Sequence, residues 1–159
     1  YKSIKTRYLY MKSIKTKDSK QKIKYLEECI LTEPEAAYIY NYLAVVFKNI
    51  KDYEQAHANF RKAIELAPKW SYPYNNLGIM YYEKGEYDNA ITSYLTAIAL
   101  NPDDESEYSN LGNAYYAIKE YEKAREYFNK ALEIKPKFSF AYAGLGNTYL
   151  ETKEYEKAK

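Results

Sequence analysis

Residues 105–138 read ESEYSNLGNAYYAIKEYEKAREYFNKALEIKPKF, and this stretch decides the fold because apolar side chains return in it at helical spacing twice over. Tyr108, Leu111, Gly112 and Tyr115 form a first set, and Ala124, Phe128 and Ala131 a second. Steps of three and four residues put each set on one helical face, so the stretch predicts two amphipathic helices. Pro136 then ends the second helix, because proline has no N–H to continue it.

The same chemistry recurs on both sides. Pro34, Pro68, Pro102 and Pro136 are each 34 residues apart, a period that marks a stack of repeats. Aligned on the prolines, complete repeats occupy 37–70, 71–104 and 105–138, and a partial one occupies 139–159. Residues 1–36 form a degenerate, basic repeat or cap, and the whole reads as one continuous domain. Counting slots from the first residue of each repeat, slot 4 holds Tyr40, Tyr74, Tyr108 and Tyr142, and slot 7 holds Leu43, Leu77, Leu111 and Leu145. Slot 8 holds Ala44, Gly78, Gly112 and Gly146, and slot 11 holds Phe47, Tyr81, Tyr115 and Tyr149. The second half repeats Ala56, Ala90, Ala124 and Ala158, then Phe60, Tyr94 and Phe128, then Ala63, Ala97 and Ala131.

In residues 71–104 the helices are expected over Tyr72–Lys84 and Asp88–Leu100, with Gly85 in the left-handed conformation that closes the first. Asp52, Glu86, Glu120 and Glu154 stand where a negative charge complements the start of a second helix. Small residues such as Gly112 and Ala124 let the paired helices approach. In the first 36 residues, Ile23, Leu26, Cys29, Ile30 and Pro34 fit a second helix, with Lys22 in place of the expected Ala. Leu9 fits the first helix, but Tyr10 stands where Gly or Ala belongs, so this repeat should pack atypically, as terminal repeats do.

The pattern resembles the tetratricopeptide repeat (TPR), whose signature over 34 residues is aromatic, Leu, Gly or Ala, aromatic, Ala, aromatic, Ala and Pro; the likeness covers residues 37–159. It implies an all-α solenoid, a right-handed superhelix of antiparallel helix pairs with first helices on the concave face. The ligand it implies is a segment of another protein.

Composition agrees with that class. With 24 Lys plus Arg against 22 Asp plus Glu, the chain carries only +2, too little to imply nucleic-acid binding. The balance is uneven, because residues 1–24 hold nine basic side chains and one acid, Asp18. One cysteine excludes an intrachain disulfide, and no apolar run approaches the roughly 20 residues of a membrane-spanning helix. The N-terminus lacks the apolar stretch of a secretory signal, so a cytoplasmic setting is expected. Starting at Tyr1 and ending at Lys159 inside an unfinished repeat, the sequence reads as a fragment or processed form.

Catalysis needs converging titratable or nucleophilic groups, and the sequence nominates none. His57 is the only histidine, and it reads as a surface or repeat-interface side chain. Cys29 falls in the slot of Ala63, Ala97 and Ala131 and reads as a packed small residue. Gly78, Gly112, Gly144 and Gly146 lie inside expected helices without the lysine or strand of a phosphate loop, so they read as packing glycines. No catalytic residue, cofactor or metal site is expected.

The resemblance also implies which slots line the groove. Slot 2 carries Tyr38, Tyr72, Ser106 and Phe140; slot 5 carries Asn41, Asn75, Ser109 and Ala143; slot 6 carries Tyr42, Asn76, Asn110 and Gly144. Slot 9 carries Val45, Ile79, Asn113 and Asn147, and slot 12 carries Lys48, Tyr82, Tyr116 and Leu150. The peptide-binding candidates among them are Tyr38, Asn41, Tyr42, Lys48, Tyr72, Asn75, Asn76, Ile79, Tyr82, Asn110, Asn113, Tyr116 and Asn147. Eight of the 22 tyrosines occupy the core slots named above. Tyr38, Tyr42, Tyr72, Tyr82 and Tyr116 do not, and they serve either recognition or helix packing. Trp70 and Phe138 fit either a staple at a helix start or a ligand contact. Asparagine both donates and accepts, so it pairs with a peptide backbone of any sequence. Some TPR superhelices carry an asparagine ladder at slot 6; Asn76 and Asn110 match it, while Tyr42 and Gly144 break it. The chaperone-tail clamp of another TPR subclass is not matched, since Ser106 and Asn110 stand where its cations belong.

The basic N-terminal segment contains KSIKT twice, at Lys2–Thr6 and Lys12–Thr16. Tyr1, Ile4, Tyr8 and Met11 form an apolar stripe among lysines, which reads either as a solvated capping helix or as a face for an anionic surface. The expected function is a non-catalytic scaffold for a protein or peptide segment, with no nucleic acid and no membrane span. The alternatives are a docking arm of a larger enzyme, or a scaffold that self-assembles into a homo-oligomer through its unfinished C-terminal repeat.

Overall fold

A computed structural model describes residues 3–154, so Tyr1, Lys2 and the expected slot at Ala158 lie outside the described residues. The described residues form nine α-helices and no strand. These are α1 (Ile4–Lys15), α2 (Ser19–Thr32), α3 (Ala37–Asn49), α4 (Tyr53–Leu66), α5 (Ser71–Glu83), α6 (Tyr87–Leu100), α7 (Glu105–Ala117), α8 (Tyr121–Ile134) and α9 (Ser139–Glu151). The two helices expected in residues 71–104 each begin one residue early, and the first ends one residue early. The chain gathers into two compact halves, Tyr1–Asn76 and Leu77–Lys159.

Each start and stop has a local cause. Ser3, Asp18, Asp52 and Asp104 cap α1, α2, α4 and α7 by accepting from the backbone N–H of Thr6, Lys20, Gln55 and Ser106, at 3.0 to 3.2 Å. Glu86 and Glu120 precede α6 and α8 without a side-chain cap bond. The longer glutamate turns aside instead: Glu86 accepts from Asn89 at 3.1 Å and pairs with Lys84, and Glu120 pairs with Lys123. First helices close in the left-handed region at slot 15, with φ of 76° at Gly85 and of 63°, 63° and 61° at Lys51, Lys119 and Lys153. There the N–H of Glu86 and Glu120 bonds back to Tyr81 and Tyr115 at 2.9 Å, satisfying carbonyls the helix leaves free.

In the N-terminal half, Leu9, Leu26, Cys29, Ile39, Leu43 and Val46 form one buried cluster. The degenerate repeat solves its packing by exchanging sizes. Thr6 and Ser13 stand at slots 4 and 11, where other repeats place aromatics, and both are 0% exposed. Tyr10 supplies the lost bulk from slot 8, setting its ring edge-on to Tyr38 at 5.4 Å and to Tyr42 at 5.7 Å. The first KSIKT copy starts α1 and the second ends it.

In the C-terminal half the expected close approach is present. A Cβ on Gly78 would lie 2.6 Å from the Tyr94 ring, and one on Gly112 2.8 Å from the Phe128 ring. Buried clusters form around Ala90, Tyr94, Leu111 and Ala114, and around Ala124, Phe128, Ala131, Ala141 and Leu145. Arg125 on α8 donates to Glu154 at 2.8 Å, pairs with Glu122 and covers the Tyr149 ring at 5.3 Å, tying α8 to the turn that follows α9.

Candidate functional site

The candidate site is what the core leaves exposed on the first helices. Slot 7 is buried in every repeat, from Leu9 to Leu145. So are two slots that carry no recurrent chemistry. Slot 3 buries Ile39, Pro73, Glu107 and Ala141, and slot 10 buries Val46, Met80, Ala114 and Thr148. The sequence signature misses these two, because four unlike residues fill each. In α1 the same slots hold Lys5 and Lys12, both exposed. On the opposite arc none of the thirteen groove candidates is buried.

In the N-terminal half, Tyr38 donates to Glu33 Oε2 at 3.5 Å and, like Tyr42, rests its ring on Tyr10. Asn76 Nδ2 on α5 donates to Asn41 Oδ1 on α3 at 3.1 Å, joining slot 6 of one repeat to slot 5 of the preceding one. Asn75 and Lys48 are half-buried, and Tyr72 is exposed with its ring 6.0 Å from Trp70. Phe138 makes the matching contact with Phe140 at 5.6 Å, so both helix-start aromatics pair with slot 2. The slot 4 tyrosines do more than fill space, since Tyr74 donates to the Pro68 carbonyl at 3.2 Å and Tyr142 to the Pro136 carbonyl at 3.1 Å.

In the C-terminal half, Ile79 packs beside the Tyr94 cluster. Tyr82 sets its ring 5.3 Å from Tyr87, and Tyr116 sets its ring 5.7 Å from Tyr121, so slot 12 leans on the tyrosine opening the next helix. Burial, with Tyr87 nearby, raises the Tyr82 hydroxyl above its ordinary pKa. Tyr116 is raised likewise by burial and by Glu151, to which it donates at 3.5 Å. Both therefore stay neutral donors near pH 7. Asn110 and Asn113 are half-buried on α7, and Asn147 is exposed on α9. Two slots depart from the expected groove: Ser109 at slot 5 and Gly144 at slot 6 are buried. Gly144 faces the Phe128 ring more closely than Gly112 does, so a packing contact occupies that slot.

The chemistry of the remaining groups is quiet. Cys29 is fully buried, its Sγ lies 3.6 Å from the Thr6 carbonyl, and burial pushes the thiol up to about 11, away from the nucleophilic thiolate. His57 is half-buried on α4. Among the described residues no three His, Cys, Asp or Glu side chains gather to hold a metal, and no helix is long and apolar enough to cross a membrane.

Family models identify the repeats themselves. Models described as tetratricopeptide repeat match residues 37–70, 106–138 and 127–159, and one described as TPR repeat matches 78–119. No match was found among curated protein sequences. Among solved structures, a crystal structure of MamA is 25% identical with a TM-score of 0.84, over 99% of this chain and 90% of that one. MamA from Desulfovibrio magneticus RS-1, residue 41 to the end, is 21% identical with a TM-score of 0.85, over 98% and 90%. PilF of Pseudomonas aeruginosa is 24% identical with a TM-score of 0.83, over 97% and 70%. Recurrent buried slots, all-helical pairs and four family matches reaching from residue 37 to residue 159 make this chain an all-α solenoid of the tetratricopeptide repeat family.

Proposed function

We propose that the chain is a non-catalytic protein-interaction scaffold whose first helices hold a peptide or protein segment, with asparagine amides pairing to its backbone and tyrosines giving apolar contact. The observation that carries this reading is the division of each first helix. In α3, α5, α7 and α9, slots 3, 7 and 10 are consumed by the core, while all thirteen candidates at slots 2, 5, 6, 9 and 12 keep solvent access. Eleven of the thirteen are asparagine or tyrosine, side chains that combine contact area with both donors and acceptors. Several tyrosines are braced by a second ring, so little side-chain freedom is lost when a ligand touches them.

Ordering a flexible segment costs roughly 2 to 5 kcal/mol, so affinity on the order of micromolar is expected. The test takes a partner recovered by pull-down and measures its binding by calorimetry to three proteins. These are the wild type, the double variant Asn76→Ala with Asn110→Ala, and a control carrying Lys62→Ala and Lys130→Ala on second helices. Selective loss in the asparagine variant is expected. Loss in the second-helix control with the asparagine variant unaffected would overturn the reading.

A further inference from the structure

We infer that the outer face of α1 is a docking surface for an acidic segment of another protein that also carries apolar side chains. This names the partner class of the N-terminal half and rests on reading the first-helix arc as the ligand surface.

The first observation is that α1 is turned inside out. Its buried side carries two hydroxyls, Thr6 and Ser13, beside Leu9. Thr6 is satisfied by Ser3 and Thr32 at 2.8 and 2.7 Å, and Ser13 by the Tyr10 carbonyl at 2.6 Å. Meanwhile Ile4 is 90% exposed, Tyr8 57%, Met11 44% and Ile14 48%. Folding alone favours the opposite arrangement, since an apolar side chain left almost wholly in water, as Ile4 is, forgoes about 1.5 to 3 kcal/mol of burial. An apolar strip kept outside while hydroxyls are buried inside is a local rule broken, the kind of departure that accompanies a binding face.

The second observation is register. Ile4, Arg7, Tyr8, Met11 and Ile14 occupy slots 2, 5, 6, 9 and 12, the positions that on the later first helices remain accessible everywhere but at Ser109 and Gly144. At about 100° per residue, they and Lys15 fall within an arc of about 120°.

The third observation is charge. Neither α1 nor α3 contains an Asp or Glu, while the second helices α2 and α4 carry Glu27, Glu28, Glu54 and Glu65. The nearby Glu33 is buried and accepts from the Ser3 N–H at 3.0 Å and from Tyr38. The arc is thus apolar and cationic without an acid of its own. Arg7 and Lys15 sit among the apolar side chains rather than at the flanks. That interleaving suits a ligand that alternates carboxylates with apolar groups, whereas a helix lying in a bilayer interface separates its charged and apolar faces.

The test displays random peptides of about 15 residues on phage and selects them against the folded chain. Binding of the selected peptides is then measured by fluorescence anisotropy. The variants are Ile4→Ser with Met11→Ser and, separately, Arg7→Glu with Lys15→Glu. All four sites are exposed, and circular dichroism of each variant checks that folding is retained. Selected peptides should be net acidic with several Leu, Ile or Phe, and each double variant should weaken them by about tenfold or more. Loss in these variants with normal binding to Asn76→Ala, Asn110→Ala sustains the α1 face while removing the amide contribution proposed above. Neutral or basic selected peptides, or undiminished affinity for both α1 variants, would overturn the inference. So would co-sedimentation with phosphatidylserine vesicles in the absence of any acidic-peptide binding.

Discussion

Gly144 on α9 backs onto the ring of Phe128 on α8 so closely that even a Cβ could not be added without displacing that ring. The same ring is also met by Gly112 of its own repeat, where an added Cβ would stand 2.8 Å away. Phe128 is fully buried, and two successive first helices both approach this one aromatic side chain.

This relationship predicts a sign change. Alanine gains about 1 kcal/mol over glycine within a helix, while forcing extra volume into a packed site costs about 1 to 3 kcal/mol. Gly144→Ala should therefore be destabilising in the wild type. In a Phe128→Leu background, where the ring is gone, the same substitution should become neutral or stabilising. Urea unfolding of the four proteins in this cycle measures the difference, and equal effects in both backgrounds would show that the contact does not govern the spacing.

A second expectation concerns the turn between paired helices. Gly85 at φ 76° has open space where a Cβ would go, so Gly85→Ala meets only backbone strain, about 1 to 2 kcal/mol. Lys119 already endures that strain at φ 63°. Lys119→Gly should stabilise by up to about 1 kcal/mol, the relief being partly offset by the entropy glycine loses on folding, and Lys119→Ala should change little. Thermal unfolding of the three variants checks the order.

How far the sequence revealed these features depends on whether a slot carries recurrent chemistry. Slots 4, 7, 8 and 11 are legible because each repeat fills them with one kind of side chain, and the helix boundaries followed within one residue. Slots 3 and 10 were not legible. Glu107 and Pro73 share a buried position with Ile39 and Ala141, and no pattern of residue type announces burial when the neighbours that impose it differ. The candidate site was partly legible. Asn76 and Asn110 stood out by type, but Tyr82 leaning on Tyr87 and Gly144 receding beneath Phe128 are contacts between separate helices that spacing along one helix cannot encode. The inversion of α1 was visible only as a stripe. That its hydroxyl side packs inward became evident from Thr6 meeting Thr32 across to α2.

The last expectation separates the structural from the ligand-binding role of the groove amides. Asn76 Nδ2 donates to Asn41 Oδ1, joining α3 to α5, and both side chains are half-buried. A partly exposed neutral hydrogen bond contributes about 0.5 to 1.5 kcal/mol, so Asn41→Ala and Asn76→Ala should each cost no more than that. Their costs should also couple, the double variant losing less than the sum. In binding the two should differ. Removing Asn41 leaves the Asn76 amide free to turn to a peptide carbonyl, so Asn41→Ala should keep or improve affinity, whereas Asn76→Ala should weaken it. The double-mutant cycle is run twice, once by urea unfolding and once by calorimetry with a recovered partner. Equal losses of affinity from both single variants would mean that the pair acts only as a brace between the helices, and that slot 6 contributes no direct contact.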